Sequence, residues 1–274
     1  MTCVSASDDP RAPLDAGSIT AAVRHEGGLW SSVEVASSLR SSNETLGRRA
    51  TEGSALPGTV LVAEEQTAGR GRRGRGWVAP QYSSVMVSVL ARPEVEPARW
   101  GWLPLLTALA VVDAVGAAGV DASIKWPNDV LVGEAKLAGV LCEVVQTPEG
   151  NALIAGWGVN VDQRAHELPG PEATSLRLVG GSVDRLGLLT ECLLAWERWY
   201  RRWLHDDPSL QAVYASRSGT LGRRVRLHPP DGNVVRGTAI RLSSNGSLVV
   251  DVEGEERSVA AADVVHLRLD GLPR

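Results

Sequence analysis

Residues 66–77 read QTAGRGRRGRGW, and positions 69–76 alone hold four arginines and four glycines. Glycines give such a segment backbone freedom, and their missing side chains let N–H groups approach an anion. Arginine supplies planar forks that match carboxylates and phosphates. Three readings compete: an RGG-like nucleic-acid-binding segment, a solvated basic linker, or a loop that closes on a small anionic ligand. The linker is disfavoured because the segment is short and lies between two apolar runs, TVLVAEE (59–65) and SSVMVSVLA (83–91). The RGG reading wants repeats, interleaved aromatics and a basic face. This chain offers one copy in a protein of net charge -4. A loop closing on an anion is the better reading.

A second stretch, KWPNDVLVGEAKLAGVLCE (125–143), points the same way. Pro127, Asn128 and Asp129 form a turn that exposes an amide and a carboxylate at a strand end. A carboxylate there can meet a metal-bound phosphate. Lys136 opens the following strand, with the small residues Ala138 and Gly139 behind it to make room for a ligand. Taken singly, Lys125 and Lys136 read better as solvated surface lysines, and Asn128-Asp129 as a turn. No Walker-type phosphate-loop signature occurs, which excludes a P-loop hydrolase.

The elements that must position these groups follow from periodicity and turn chemistry. A short helix is expected after residue 13, capped by Asp15 or Ser18, with Ile19 and Val23 on one face. Residues 1–13 read as polar and disordered. About thirty residues precede the first strand-like run near Trp30, too few for a winged helix-turn-helix, so no DNA-reading head is expected. Residues 59–65 and 83–91 read as strands and 101–119 as a buried helix, with Pro104 tolerable in its first turn. SIKW, DVLVG, KLAGVLCEVVQ and NALIAGWGVNV follow as four strand candidates. Residues 183–205 carry Leu186, Leu189, Leu193, Trp196, Tyr200 and Trp203 at helical spacing, an aromatic stripe better read as core than as a ligand box. After about residue 219, short alternating runs broken by Asp231-Gly232, Asn245-Gly246 and Gly254 predict hairpins in a small β-barrel.

Composition sets further bounds. With 274 residues and 43% hydrophobic content the chain can bury a large core. No apolar run reads as long and uncharged enough to span a bilayer, and no signal peptide is visible. Cys3, Cys142 and Cys192 lack disulfide or metal-ligand spacing, as expected in a reducing cytoplasm. Nine tryptophans stand against no phenylalanine, a bias without a physical account.

Four motifs in order resemble the biotin protein ligase family: SSNETL (41–46), QTAGRGRRGRGW, KWPNDVLV with its following KLAGVL and Glu143, and GWGVNV (156–161). The resemblance spans roughly residues 30–270. It implies an α+β fold in which a mixed central sheet with helices, like that of class II synthetases, forms a catalytic domain at 30–218. An N-terminal segment (1–29) precedes it and an SH3-like barrel (219–274) follows. The implied activity is ATP-dependent: biotin and ATP give biotinyl-5′-AMP, whose acyl group passes to one lysine of a biotin carboxyl carrier domain of an acyl-CoA carboxylase. Mg²⁺ is implied with ATP; nucleic acid and membrane partners are not, nor is a repressor role.

Residue by residue, the resemblance implies that Ser41, Ser42 and Asn43 face biotin's ureido ring and that Gln66 stands at the loop's root. Gly69, Arg70, Gly71 and Arg72 would wrap the ligand, and Gly139 and Gly156 would line its pocket. Arg72, Arg75, Trp77, Asn128, Asp129 and Asn160 would meet ATP, with Asp129 on the Mg²⁺ side. Lys136 would bridge carboxylate and phosphate, making Lys136 and Arg72 the implied catalytic pair. Ser42 replaces the family's more usual Thr and keeps the hydroxyl. Trp157 stands where a small or aliphatic residue is common; outward packing is expected of it. Lipoate or octanoate ligases share the implied fold and are the alternative within the class. An Arg/Gly-loop nucleic-acid-binding protein is the alternative outside it.

Overall fold

The computed structural model of the chain describes residues 11–228, 234–260 and 263–266. Asp15 accepts a hydrogen bond from Ser18 N at 2.6 Å and so caps α1 (Ala16–Val23), which buries Ile19 and Val23. There follow β1 (Ser32–Ala36), α2 (Ser42–Thr51), β2 (Thr59–Ala63), the two-residue strands β3 (Gly69–Arg70) and β4 (Gly76–Trp77), and β5 (Ser84–Ala91). A 3₁₀ segment (Pro97–Trp102) leads into α3 (Leu103–Ala117), with Pro104 in its first turn as expected. Then come β6 (Ser123–Lys125), β7 (Asp129–Val132), β8 (Ala135–Thr147), β9 (Gly150–Asn160), α4 (Arg185–Leu204) and α5 (Leu210–Arg217). The chain closes with β10 (Arg224–His228), β11 (Val235–Leu242), β12 (Leu248–Val252), β13 (Glu255–Val259) and β14 (Asp263–His266).

Seven strands form a mixed sheet in the order β1-β2-β5-β9-β8-β7-β6. β1 and β2 are parallel, and the other neighbours are antiparallel. Side chains alternate across the sheet, which gives it two differently covered faces. On one face, Leu46 and Ala50 of α2 pack with Leu61, Leu90, Ala152 and Ile154. On the other lie α3 and α4, whose aromatic stripe joins the main core: Trp196 stacks on Tyr200 at 4.7 Å and meets Trp30 at 5.7 Å. That stripe is core, as its spacing predicts.

One expectation is corrected by α3 and its lead-in. Pro97–Ala117, 21 residues of mean hydropathy 1.5, is long and apolar enough by length and composition to cross a membrane. It is instead the central core helix, buried from Leu103 to Val115 between the sheet and α4. Periodicity gave no warning of α2 or α5. In α2, SNETLGRRAT carries only Leu46 and Ala50 as an apolar stripe, too little to show a period.

The C-terminal strands form a five-stranded antiparallel sheet, β13-β12-β11-β10-β14. Among the described residues no pairing closes β13 onto β14. The Asn245-Gly246 and Gly254 turns fall between strands as expected, with Gly246 at φ 84° and Gly254 at φ 90°; Asp231-Gly232 lies outside the described residues. This sheet docks on the larger unit through Trp102 Nε1, which donates to Ser244 O at 2.8 Å, and Trp126 Nε1, which donates to Gly246 O at 3.3 Å.

One ion pair is buried where β2 ends. The Arg185 guanidinium contacts the Glu64 carboxylate and donates to Ser84 O at 2.9 Å, and both side chains are buried. Removing one member of such a pair leaves the other desolvated and unpaired. Glu64→Ala is therefore expected to cost about 3–5 kcal/mol of stability, read from the shift of the urea-denaturation midpoint. A loss below about 1 kcal/mol would show that the pair contributes as little as a surface one.

Candidate active site

α2 meets the sheet N-terminus first. Ser41, with extended backbone at φ -159° and ψ 133°, caps the helix by accepting from Glu44 N at 3.4 Å. The first turn thus presents the partial positive charge of a helix start to the space in front of it. Gln66 Oε1 accepts from Ser42 N at 2.7 Å, and Gln66 Nε2 lies 3.4 Å from Met86 Sδ. Asn43 Nδ2 donates to Leu141 O at 3.0 Å and to Glu143 Oε2 at 2.9 Å, while Ser88 Oγ bonds Asn43 Oδ1 at 2.6 Å. Ser88 Oγ also lies 2.7 Å from Ser42 Oγ, the hydroxyl that stands in place of threonine. With both amide protons engaged, the Asn43 side chain has one orientation.

Two bare positions of β9 make this seat possible. A β-carbon on Gly156 would overlap Asn43 Oδ1, and one on Gly158 would come within 2.5 Å of Trp77 Cε2. Trp157, between them, points to the opposite face by strand alternation. There its side chain is buried beside Cys192 of α4, while the residue also borders the cavity.

The Arg/Gly segment is a small hairpin lying over this space. Gly69 pairs with Trp77 and Arg70 with Gly76, and Gly71 N donates to Arg75 O at 2.6 Å. The tip turns through left-handed backbone at Arg73 (φ 55°) and Gly74 (φ 73°). Its arginines reach three different elements. Arg70 Nη2 sits 3.0 Å from Glu143 Oε1, Arg72 Nη1 donates to Asn128 Oδ1 at 3.3 Å, and Arg73 Nη2 donates to His228 O at 2.6 Å. Facing the hairpin, Asn128 Nδ2 donates to Val140 O at 2.9 Å. Lys136 Nζ pairs with Asp129 Oδ1 at 2.6 Å and lies 5.8 Å from the Trp77 ring centre.

Of the residues singled out from the sequence, Ser41, Ser42, Asn43, Gln66, Arg70, Gly71, Arg72, Arg75, Trp77, Asn128, Asp129, Lys136, Gly139 and Gly156 line one cavity. Gly69 and Asn160 lie off its lining. Gly69 runs so close to Trp77 O that a β-carbon would collide with it. Asn160 is buried; its Nδ2 donates to Thr174 O at 2.9 Å and its Oδ1 accepts from Gln163 at 3.1 Å. Glu143 and Ser88 were not singled out as site residues, though both had a signal. Glu143 falls on the same face of β8 as Gly139 and Leu141, and Ser88 is a hydroxyl inside an otherwise apolar strand run.

The chemistry available is electrostatic rather than nucleophilic. Burial pushes the thiols of Cys142 and Cys192 up to about 12, so neither supplies a thiolate near neutral pH. Among the described residues no three His, Cys, Asp or Glu side chains cluster as a metal site. The cleft instead gathers arginine forks, an ammonium, a helix N-terminus with hydroxyls and an amide around one space. Such a cleft suits a ligand that is neutral and polar at one end and anionic at the other.

Comparison with known proteins agrees with this geometry. Residues 35–160 match the biotin/lipoate A/B protein ligase family, and residues 220–267 match the biotin protein ligase C-terminal domain. A biotin–[acetyl-CoA-carboxylase] ligase of Mycobacterium tuberculosis is 40% identical over 95% of this chain and 98% of its own length. A bifunctional ligase/repressor of Bacillus subtilis is 31% identical over 82% of this chain and 71% of its own. A solved biotin protein ligase from Aquifex aeolicus, in complex with biotin and ATP, superposes with a TM-score of 0.75 at 28% identity, covering 87% of this chain and all of that one (100%).

The seat of Asn43 can be tested without any ligand. Gly156→Ala is expected to lose about 1–3 kcal/mol of stability through overpacking. In an Asn43→Ala background the same change should cost under about 0.5 kcal/mol, because the atoms it strikes are gone. Equal costs in both backgrounds, measured by chemical denaturation, would mean that Asn43 does not rest on Gly156.

Proposed function

The chain belongs to the biotin protein ligase family, and we propose that it joins biotin to a protein lysine in two ATP-dependent steps. In the first, the biotin carboxylate attacks the α-phosphate of ATP, and the bond to pyrophosphate breaks to leave biotinyl-5′-AMP. In the second, a lysine ε-amine attacks the acyl carbon of that adenylate. An amide forms, AMP departs and the amine loses its proton. The lysine belongs to a biotin carboxyl carrier domain in this reading, and the cytoplasm is the place of work.

The observation that carries the proposal is the polarity of the cleft. Ser41, Ser42, Asn43 and Gln66 offer neutral groups suited to a ureido ring, Arg72, Arg75 and Lys136 bring cations to the same cavity, and Arg70 is tied to Asn43 through Glu143. A carboxylate and a triphosphate repel each other, and bringing them in line requires cations fixed in advance. Lys136 lies between Asp129 and the hairpin, where it would neutralise charge shared by the carboxylate and the α-phosphate. Mg²⁺ would be held by the Asp129 carboxylate and the nucleotide's phosphates, a donor set that suits an ion bound through one carboxylate plus substrate oxygens. Bound there, the metal would add charge neutralisation at the phosphates. Closure of the hairpin would exclude water from the adenylate.

The direct test is biotin-dependent exchange of labelled pyrophosphate into ATP, with lipoate in parallel, followed by transfer to a carrier domain. Exchange with biotin alone supports the reading. Exchange with lipoate alone, or with neither, overturns it.

Two variants separate chemistry from retention. Lys136→Ala should lower the adenylation rate by several hundredfold, since a preorganised charge contributes roughly 3–4 kcal/mol at such a step. Its folding should be nearly unchanged, because the ammonium is partly solvated. Near-normal adenylation would remove Lys136 from the mechanism. Arg72→Gly should still make the adenylate but hold it roughly ten- to a hundredfold more weakly, as expected for one lost charge-assisted hydrogen bond. Released adenylate would then label exposed lysines on an unrelated protein. Labelling no greater than wild type, with adenylate formation confirmed, would show that Arg72 does not retain it.

A further inference from the structure

The side chain of Arg11, far in sequence from the cleft, ends in an acidic cage. Its Nε donates to Asp162 Oδ2 at 2.9 Å and its Nη2 to Asp162 O at 2.6 Å. The same guanidinium grips Glu167 at both oxygens, 3.0 Å to Oε1 and 2.6 Å to Oε2. Bidentate pairing of this kind is strong and directional. It also holds the Glu167 carboxyl well below the usual range, at about 2, chiefly through the hydrogen bond from Arg11. The arm continues into the body: Arg185 Nη1 donates to Ala12 O at 3.0 Å, so Arg11 is anchored from behind.

Asp162 opens a loop that returns at Arg177, whose guanidinium contacts the same Asp162 carboxylate. The two ends of residues 162–177 are thus drawn together, as in a compact Ω-loop. The returning limb pairs with the start of β8. Lys136 N donates to Glu172 O at 2.7 Å, and Thr174 N donates to Lys136 O at 2.8 Å. Thr174 O in turn accepts from Asn160 Nδ2 at 2.9 Å. The backbone of Lys136 is therefore held on both its N–H and its carbonyl by a loop whose first limb Arg11 grips at Asp162 and Glu167. None of these contacts reaches Ser41, Ser42 or Asn43.

We propose that Arg11 is a positioning residue: by clamping Asp162 and Glu167 it fixes the 162–177 loop, which fixes the Lys136 backbone and so the place of its ammonium in the cleft. The proposal rests on the reading of Lys136 as an adenylation residue. Without Arg11, Glu167 loses its bidentate cation while Asp162 keeps Arg177, and the first limb of the loop is no longer tied to residues 11–12. The Lys136 bridge then loosens while the far end of the cleft keeps its own supports.

The test compares wild type with Arg11→Ala and Arg11→Lys in two assays. In the first, hydrogen exchange is followed peptide by peptide. In Arg11→Ala, peptides holding the Lys136 and Thr174 amides should exchange at least about tenfold faster, with those covering α2 unchanged. In the second, adenylation is measured at varied ATP and varied biotin. Arg11→Ala should lower kcat/KM for ATP roughly ten- to a hundredfold, the scale expected when a reacting group is slightly misplaced. The calorimetric Kd for biotin should stay within about twofold. Arg11→Lys should recover part of the loss, because a point charge can serve one carboxylate but not the fork. Unchanged exchange at Lys136 and Thr174 would overturn the proposal. So would a loss spread evenly over biotin binding, ATP use and thermal stability, which marks a merely structural residue. If wild type itself makes no adenylate, the functional reading fails, and the exchange assay still decides whether Arg11 holds the loop.

Discussion

The amide of Asn43 occupies the space that a β-carbon on Gly156 would fill, and that close approach sets the depth at which α2 meets the sheet. The cleft is built outward from this contact. Because Asn43 lies so low, its Nδ2 reaches both Leu141 O and Glu143, and its Oδ1 reaches the Ser88 hydroxyl. Glu143, oriented by Asn43, presents its other oxygen to Arg70 of the hairpin. A single missing side chain on β9 thereby connects the helix N-terminus, the edge of β8 and the Arg/Gly segment.

The cations of the cleft are held by partners of the protein's own making. Lys136 pairs with Asp129, Arg70 with Glu143, and Arg72 with the neutral carbonyl of Asn128. Pairing of this kind keeps clustered positive charges from repelling one another and holds them in fixed positions. Fixed charge is what catalysis by electrostatic stabilisation requires, since little reorganisation remains when charge develops.

Two further segments steady the machinery from outside. The C-terminal sheet takes the Arg73 guanidinium on His228 O and reaches the cavity lining with Val264. The arm around Arg11 reaches the mouth of the loop that pairs with Lys136, and Leu14 N donates to Glu64, two residues before Gln66 at the hairpin's root. Both segments are remote in sequence from the motifs they support. Their contacts run through backbone carbonyls and ion pairs, which leave no periodic trace.

Much of the fold was legible along the chain because local rules wrote it. The Val-rich runs became β2 and β5, the Trp/Tyr stripe of α4 became core, and the Asn245-Gly246 and Gly254 turns fell between strands. The candidate cleft was legible for a similar reason, since its chemistry is concentrated in a few short stretches of arginine, glycine, lysine and asparagine. What could not be read is what depends on neighbours distant in sequence. α2 has too few apolar residues to show a period and is stabilised by packing on the sheet. Pro97–Ala117 has the composition of a membrane helix and is a core helix because the sheet and α4 cover it. Asn160 reads like a ligand-facing residue of its motif, yet its amide is committed to Thr174 and Gln163. Glu143, Ser88 and Arg11 acquire their roles only when β8, β5, the N-terminal arm and the 162–177 loop meet in three dimensions. Side-chain type and spacing decide what a segment can do; which partner satisfies each polar group is decided by packing between segments.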